Sequence, residues 1–166
     1  MLLPAPSLPD ETIYSRLVRH QLASGYNISQ FLVCLFGKRK VRFHPYLPRH
    51  INQLTIAGFG SQKKIIYEQT LYPLFAFFEP EQATKLWLSM LSSNGTSPTT
   101  SALLSQTKGK CVLSLKECPF CIREDIETYG VSYWHLTHQV PGISACAKHS
   151  TDVVNDFMTT QLSNIS

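Results

Sequence analysis

Two pairs of residues that commonly bind metals stand late in the chain, and each pair is separated by two residues. They are Cys118-Pro-Phe-Cys121 and Cys146-Ala-Lys-His149. A two-residue gap lets a tight turn direct both side chains at one ion, and the 24 residues between the pairs can fold across the site. Three thiolates and one neutral imidazole are a common structural zinc set, so the sequence predicts one structural Zn²⁺ held by these four residues.

A Cys3His set is closed, because four protein ligands leave no position for water or substrate. The predicted metal therefore stabilises folding and does not catalyse. The sequence has no glycine-rich phosphate loop, no His-Glu-x-x-His, no Gly-x-Ser-x-Gly and no acidic cluster of the kind that binds two metals. We therefore expect that the protein is not an enzyme. The alternative for the cysteines is that they are reduced thiols in a core.

His135 and His138 are rival ligands for the metal. Their spacing is one residue shorter than the usual His-x3-His minimum, and choosing them would leave Cys146 and His149 without a role. We expect them instead to pack or hydrogen-bond around the zinc module beside Trp134. A metalloenzyme such as a nuclease would need an open metal site and would lose its cleavage activity on substitution of either histidine.

The cysteine count and the N-terminus indicate the cellular compartment. Five cysteines cannot form a closed set of disulfides, and an odd count in a protein that is not secreted favours metal binding. Prolines at positions 4, 6 and 9 interrupt any signal-peptide core, and no apolar run approaches the roughly 18 residues of a membrane span. We expect a cytoplasmic bacterial protein with no membrane segment. Cys34 lies in an apolar helical run and should be buried, while Cys111 could be a spare thiol near the zinc.

The chain has 166 residues, of which 43% are hydrophobic and 16% charged. This composition excludes a disordered chain and allows a core of real size. Apolar residues recur at helical spacing in the first 95 residues, and residues 92–110 are rich in Ser and Thr. The sequence therefore predicts a mainly α fold: a helical N-terminal domain over 1–95, a linker or loop over 96–110, and a zinc-binding module over 111–166.

The helical pattern contains its own start and stop signals. Ser7 or Asp10 can cap the first helix, because a short side-chain oxygen accepts a free N–H of the first turn. Gly25 and Gly37 can end the first two helices. A last helix is predicted over 80–91 with proline in its first turn, where its missing N–H costs nothing.

Basic residues are concentrated in the first third of the chain. The net charge is +4, but residues 1–60 carry seven Lys or Arg against two Asp or Glu. Four of these cations, Lys38, Arg39, Lys40 and Arg42, stand in a stretch flanked by Phe36 and Phe43 between two predicted helices. Such a stretch can contact a phosphate backbone or an acidic protein surface, and it can equally be an ordinary solvated loop.

Three further segments stand in a characteristic order. They are Leu3-Pro4 with Asp10-Glu11-x-Ile13-Tyr14-Ser15-Arg16, then Tyr67-Glu68-x-Thr70-Leu71-Tyr72-Pro73-Leu74, then Tyr133-Trp134-His135-x-x-His138-Gln139-x-Pro141-Gly142. Together with the two ligand pairs, they resemble the TniQ/TnsD family over roughly residues 3–150. These are target-selection proteins of bacterial transposons. The resemblance carries over Cys118, Cys121, Cys146 and His149 as zinc ligands, and Trp134, His135 and His138 as motif residues.

The resemblance implies an adaptor and not a recombinase. Such a protein recognises a target, either by binding DNA at an attachment site or by joining an RNA-guided CRISPR effector complex. It then recruits an AAA+ ATPase transposition regulator. The resemblance also implies a helix-turn-helix-like part among the N-terminal helices and partner contacts by the zinc module. We further expect association with the nucleoid, and a homodimer is one open form of assembly. The alternative function is a stand-alone zinc-containing DNA-binding regulatory protein.

The chain departs from the family pattern after the zinc ligands. TnsD-type members continue into a long C-terminal region that carries much of the sequence-specific DNA binding, whereas this sequence has 17 residues after His149. It also lacks the second cysteine-pair module of some short TniQ proteins. The resemblance is therefore to the N-terminal region of such proteins or to a short form, and it favours a function in protein contacts over autonomous recognition of a DNA site.

Overall fold

A computed structural model describes residues 3–94, 97–101 and 115–155 of the chain. Its α-helices are α1 (Ile13–Ser24), α2 (Ile28–Phe36), α3 (Ile51–Ile56), α4 (Gln62–Glu68), α5 (Tyr72–Phe78), α6 (Pro80–Leu91), α7 (Pro98–Ser101) and α8 (Pro119–Tyr129). A 3-10 helix covers Thr137–Gln139, and two short strands are β1 (Lys116–Glu117) and β2 (Val154–Asn155). The prediction of a mainly α fold is confirmed.

Thr12 caps the N-terminus of α1, because its side chain accepts a hydrogen bond from the N–H of Ser15. The expectation that Ser7 or Asp10 caps it is wrong. Asp10 has a positive φ of 56°, whereas an N-cap residue is normally extended, and its carboxylate is bonded elsewhere. Gly25 ends α1 as predicted, since it adopts a left-handed conformation that an L side chain strains to reach.

The helices α4 to α6 begin as their sequences indicate. The side chain of Ser61 caps α4 by accepting from the N–H of Lys64. Proline stands in the first turn of α5 and of α6, and α6 covers Pro80–Leu91, which confirms that prediction. The two helices are separated by one residue, Glu79, and pack closely against each other.

Helices α1 to α6 enclose one apolar core. Ile13, Leu54 and Ile65 are among its fully buried members. Cys34 is exposed, so the prediction that it is buried is wrong. The reason is its position on α2: Phe31 and Leu35 turn one face of that helix to the core, and Cys34 lies on the other face.

The C-terminal part is built around α8 and a small sheet. Strands β1 and β2 pair antiparallel, with Glu117 opposite Val154. Residues 98–101 of the predicted linker form α7, and the rest of that linker, together with Cys111, lies mostly outside the described residues. The boundaries at 95 and 111, and the helix-turn-helix-like part, stay predictions.

Within the described part of the chain, no helix has both the length and the apolar character needed to cross a membrane.

Candidate metal centre

Four side chains converge beside the N-terminus of α8. Cys118 directly precedes α8, Cys121 lies in its first turn, and Cys146 and His149 belong to the turn that leads into β2. The pairing of β1 with β2 brings these two segments together. The ligand atoms of the four residues all lie within 4.8 Å of one another, and the three cysteines are buried free thiols. The four predicted ligands therefore form one group that can hold a metal ion.

The separations within the group match a tetrahedral ion. Two sulfurs about 2.3 Å from one ion lie about 3.8 Å apart at the tetrahedral angle, and a sulfur and a nitrogen lie about 3.6 Å apart. The Sγ atoms of Cys121 and Cys146 are 3.7 Å apart. The Nδ1 atom of His149 lies 3.5, 3.4 and 3.6 Å from the sulfurs of Cys118, Cys121 and Cys146. A disulfide is excluded at these distances, because its sulfurs would be about 2.05 Å apart.

The electrostatics of the thiols also suit a cation. Burial opposes ionisation of Cys118, but hydrogen bonds from the Thr151 hydroxyl, from the backbone N–H groups of Cys121 and Phe120, and from His149 lower its pKa to about 6. Burial and the neighbouring Cys146 and Cys118 sulfurs raise the pKa of Cys121. Ionisation of Cys121 is thus opposed by its surroundings, and a bound cation would favour its thiolate.

His149 is oriented by a carboxylate behind it. Its Nδ1 faces the sulfurs, and its Nε2 lies 3.2 Å from Oε1 of Glu124 on α8. The hydrogen bond to Glu124 raises the pKa of His149, and Lys148 holds the other oxygen of the same carboxylate. A carboxylate that fixes the tautomer and orientation of a ligating histidine is the usual outer partner of a metal site. Sequence reasoning missed Glu124, and the only available signal was its place one turn after Cys121.

His138 supports the group from outside. Its Nε2 lies 3.9 Å from Sγ of Cys121, while its Nδ1 is buried without a hydrogen-bond partner among the described residues. Burial and the charge on His135 lower the pKa of His138. Neither His138 nor His135 belongs to the convergent group, in agreement with the expectation that both pack or hydrogen-bond around it.

His135 connects the metal-site module to the N-terminal segment. Its Nε2 lies 2.9 Å from Oδ2 of Asp125 on α8, and its Nδ1 lies 3.6 Å from Oδ2 of Asp10. The ring is also stacked on Tyr133, with 4.4 Å between the ring centroids. Burial opposes the charge on His135, but the hydrogen bonds to Asp10 and Asp125, and the charges of both carboxylates, outweigh it and raise its pKa.

Hydrogen bonds reinforce this joint between the N-terminal segment and residues 134–137. The N–H of Thr12 donates to the carbonyl of Trp134 (3.1 Å), and the N–H of Leu136 donates to the carbonyl of Asp10 (2.6 Å). The Thr137 hydroxyl donates to the Asp10 carboxylate (2.6 Å). The segment around residues 10–15 and the segment 133–138, which the sequence presents as separate motifs, therefore form one contact surface.

This joint gives a pH dependence with a defined sign. The pKa of His135 is higher in the folded protein than in the unfolded chain, where it is near 6.5. The charged ring therefore contributes its full stabilisation at pH values below 6.5, and this contribution is lost as the pH rises through the pKa of the folded state. The other groups facing the ring are Asp10, Asp125, Tyr133 and His138. Asp10 has a lowered pKa, so its contribution is lost only as the pH falls below 3.8.

We therefore expect the stability difference between the wild-type protein and His135→Gln to be larger at about pH 6 than at about pH 8.5. Urea unfolding of both proteins, with metal bound, measures that difference. The metal site is itself sensitive to pH, but its effect is common to both proteins and cancels. A difference that stays constant, or grows with pH, would show that His135 is not charged in the folded protein.

The basic stretch follows α2 and contributes no residue to the convergent Cys3His group. Lys38, Arg39, Lys40 and Arg42 are all exposed to solvent. The intervening Val41 and Phe43 are partly buried and pack against the N-terminal core. The structure thus separates the cations, which face water, from the apolar residues between them.

Comparison with known proteins gives the family. The sequence model of the TniQ family matches residues 2–153. The chain belongs to the TniQ family. A similar relative is the transposon Tn7 transposition protein TnsD of Escherichia coli, which is 26% identical over 153 residues. That match takes in 89% of this TniQ-family chain but 30% of TnsD, so the chain spans less than a third of its relative's length.

Proposed function

We propose that this TniQ-family chain is a target-selection adaptor for bacterial DNA transposition. It links a target-recognition element, either a DNA site or an RNA-guided CRISPR complex, to an AAA+ ATPase regulator that brings in the transposase. The observation that carries the proposal is the family match over residues 2–153, together with the likeness to a Tn7 transposition protein. Such an adaptor acts at the bacterial nucleoid.

The arrangement of the described residues supports a contact function over catalysis. The Cys3His group is closed by its own four ligands and packed behind His138 and Glu124. A site of this kind holds backbone segments together and offers no position to a substrate. What the chain presents to a partner is then its surface, including the exposed cations after α2.

We propose that the bound metal is zinc. Tetrahedral sites with three sulfurs and one nitrogen are typical of Zn²⁺, and an iron–sulfur cluster would favour four cysteines. The described part of the chain brings three cysteines and one histidine to the site. Bound zinc would supply structural cross-linking, while Glu124 orients His149 and the Thr151 hydroxyl donates to Cys118.

Capture of the regulator tests the adaptor function. The zinc-loaded chain is immobilised, and the AAA+ ATPase encoded with it is added with ATP. We expect retention of the ATPase, and loss of that retention when the chain is stripped of metal by a chelator. Absence of binding by a chain that is folded and carries zinc would contradict the proposal.

The exposed cations favour a second candidate, in which the chain itself binds DNA. That candidate requires sequence-selective duplex binding whose affinity falls steeply with salt, because neutralised phosphates release counterions. The adaptor proposal requires at most weak binding that is independent of sequence. A titration of duplex DNA over a range of salt concentrations separates them.

Charge reversal at Arg39 and Lys40 should weaken partner binding without lowering stability. Both side chains are exposed, and exposed charges contribute little to folding. We expect binding to the regulator or to DNA to fall by about tenfold, with a melting temperature within about 2 °C of wild type. Unchanged binding would make this stretch an ordinary solvated loop.

A further inference from the structure

An apolar cleft lies open between α1 and α2. Leu17 and Val18 of α1 face Ile28 and Leu32 of α2 across it, and its cavity volume is about 60 Å³. The residues recur three and four positions apart on each helix, which is the spacing of a face that packs against something. The zinc-binding module contributes no residue to the lining of this cleft.

The cleft has a buried floor and half-exposed walls. Leu17 and Phe31 in the floor are 7% and 6% exposed, while Val18, Ile28 and Leu32 in the walls are only partly covered. Leu22, one turn beyond Val18 on α1, is 70% exposed and extends the apolar strip past the mouth. Apolar surface left open in this pattern indicates a binding groove.

The third wall of the cleft carries cations on its outer side. Val41 and Phe43 line the cleft, and Lys40 and Arg42, which alternate with them, are exposed to solvent. Lys38 and Arg39, immediately before this wall, are exposed as well. None of the four cations lines the cleft itself, but each lies within two residues in the sequence of a lining residue, Phe36, Val41 or Phe43.

No carboxylate offsets this charge nearby in the sequence. Residues 13–43, which build the cleft, contain six Lys or Arg and not one Asp or Glu. The preceding acid, Glu11, has a fully buried side chain that is bonded to Arg19 at 2.7 Å. The helices and loop that build the cleft thus carry only basic charged side chains in their own sequence, which favours a partner of the opposite sign.

We propose that this cleft binds an acidic amphipathic segment of a partner protein. The apolar side chains of that segment would fill the space between α1 and α2, and its carboxylates would face Arg39 and Arg42. A nucleic acid could satisfy the cations but has no aliphatic groups to fill a cleft lined by leucine, valine and isoleucine. The inference rests on the proposed adaptor function and specifies the surface and the partner chemistry of one of its contacts.

A labelled synthetic helix is the probe. It carries leucine at positions i, i+3, i+4 and i+7 over about five turns, with glutamate at most other positions. A second peptide has lysine in place of every glutamate, and the third ligand is a short DNA duplex. Fluorescence anisotropy with the isolated, zinc-loaded chain measures each affinity. We expect saturable binding of the acidic helix, weakened by salt, and no binding of the lysine peptide.

Variants locate the binding on the cleft. The double variant Arg39→Glu/Arg42→Glu should weaken binding of the acidic helix by about tenfold or more. Val18→Glu should weaken it by a similar factor, because it places a negative charge in the groove, of the same sign as the helix. The matched control is Lys63→Glu with Lys64→Glu on α4, where the side chains are exposed and contribute nothing to the cleft; its affinity should be unchanged. Melting curves measure whether each variant is folded. If Val18→Glu does not fold, the exposed pair Arg39→Glu/Arg42→Glu alone decides the outcome.

The outcomes that overturn the proposal are distinct. The proposal is wrong if the acidic helix does not bind, or if the lysine peptide binds equally well. It is also wrong if the duplex binds and the acidic helix does not, and the same charge reversals abolish binding of the duplex. Because these measurements use the chain without its regulator, they can fail while the regulator still binds through another surface. The proposed function can likewise fail while the cleft still binds acidic helices.

Discussion

Cys118→Ser should abolish metal binding and unfold the C-terminal module. Serine keeps the size of the side chain but does not replace a thiolate as a zinc ligand. In small zinc units the apparent metal-binding free energy, about 10–16 kcal/mol in isolated zinc fingers, is largely folding free energy. Cys118 is fully buried and precedes α8 directly, so its loss releases both the start of that helix and the turn holding Cys146.

Zinc content, the melting curve and amide hydrogen exchange together measure this effect. We expect zinc to fall from about one ion per chain to nearly none, and protection in residues 115–155 to be lost while α1 to α6 remain protected. Cys34→Ser is the matched control, because Cys34 is an exposed thiol outside the site. Full zinc content with an unchanged melting curve in Cys118→Ser would refute the ligand assignment.

His135→Ala should destabilise the protein by about 1.5–3 kcal/mol, the range for hydrogen bonds to charged groups. The variant leaves the Asp125 carboxylate, which is 5% exposed, without the imidazole that pairs with it. An uncompensated buried charge is costly, so the loss exceeds that of an exposed ion pair. It also removes the side-chain link between Asp10 and α8.

A double-mutant cycle isolates the pair. Asp125→Asn removes the charge, so the His135→Ala/Asp125→Asn double variant should be less destabilised than the two single losses added together. Urea unfolding of all four zinc-loaded proteins provides the free energies of unfolding. Strict additivity, or a loss below about 0.5 kcal/mol for His135→Ala, would mean that this histidine does not hold the joint.

The sequence alone was sufficient for the features that depend on local chemistry. Pro80 and Gly25 mark helix ends because proline and glycine act on their own backbone. The convergence of the Cys3His group is predictable for a similar reason, because a two-residue spacing brings Cys118 close to Cys121 and Cys146 close to His149.

What the sequence could not provide depends on residues distant along the chain. Asp10 reads as a helix cap, but Thr137 and His135 engage its carboxylate from more than 120 positions away. Cys34 reads as buried, but only the placement of α2 against the core determines which of its faces meets solvent. Periodicity identifies an apolar face without saying what covers it.

We propose that the Cys3His group holds a structural metal that links the segments around it. X-ray absorption at the zinc edge measures the coordination shell directly. We expect one zinc per chain with three sulfurs at about 2.3 Å and one nitrogen at about 2.0 Å. A shell that includes a water oxygen, or a second nitrogen in place of a sulfur, would show an open or different site and contradict it.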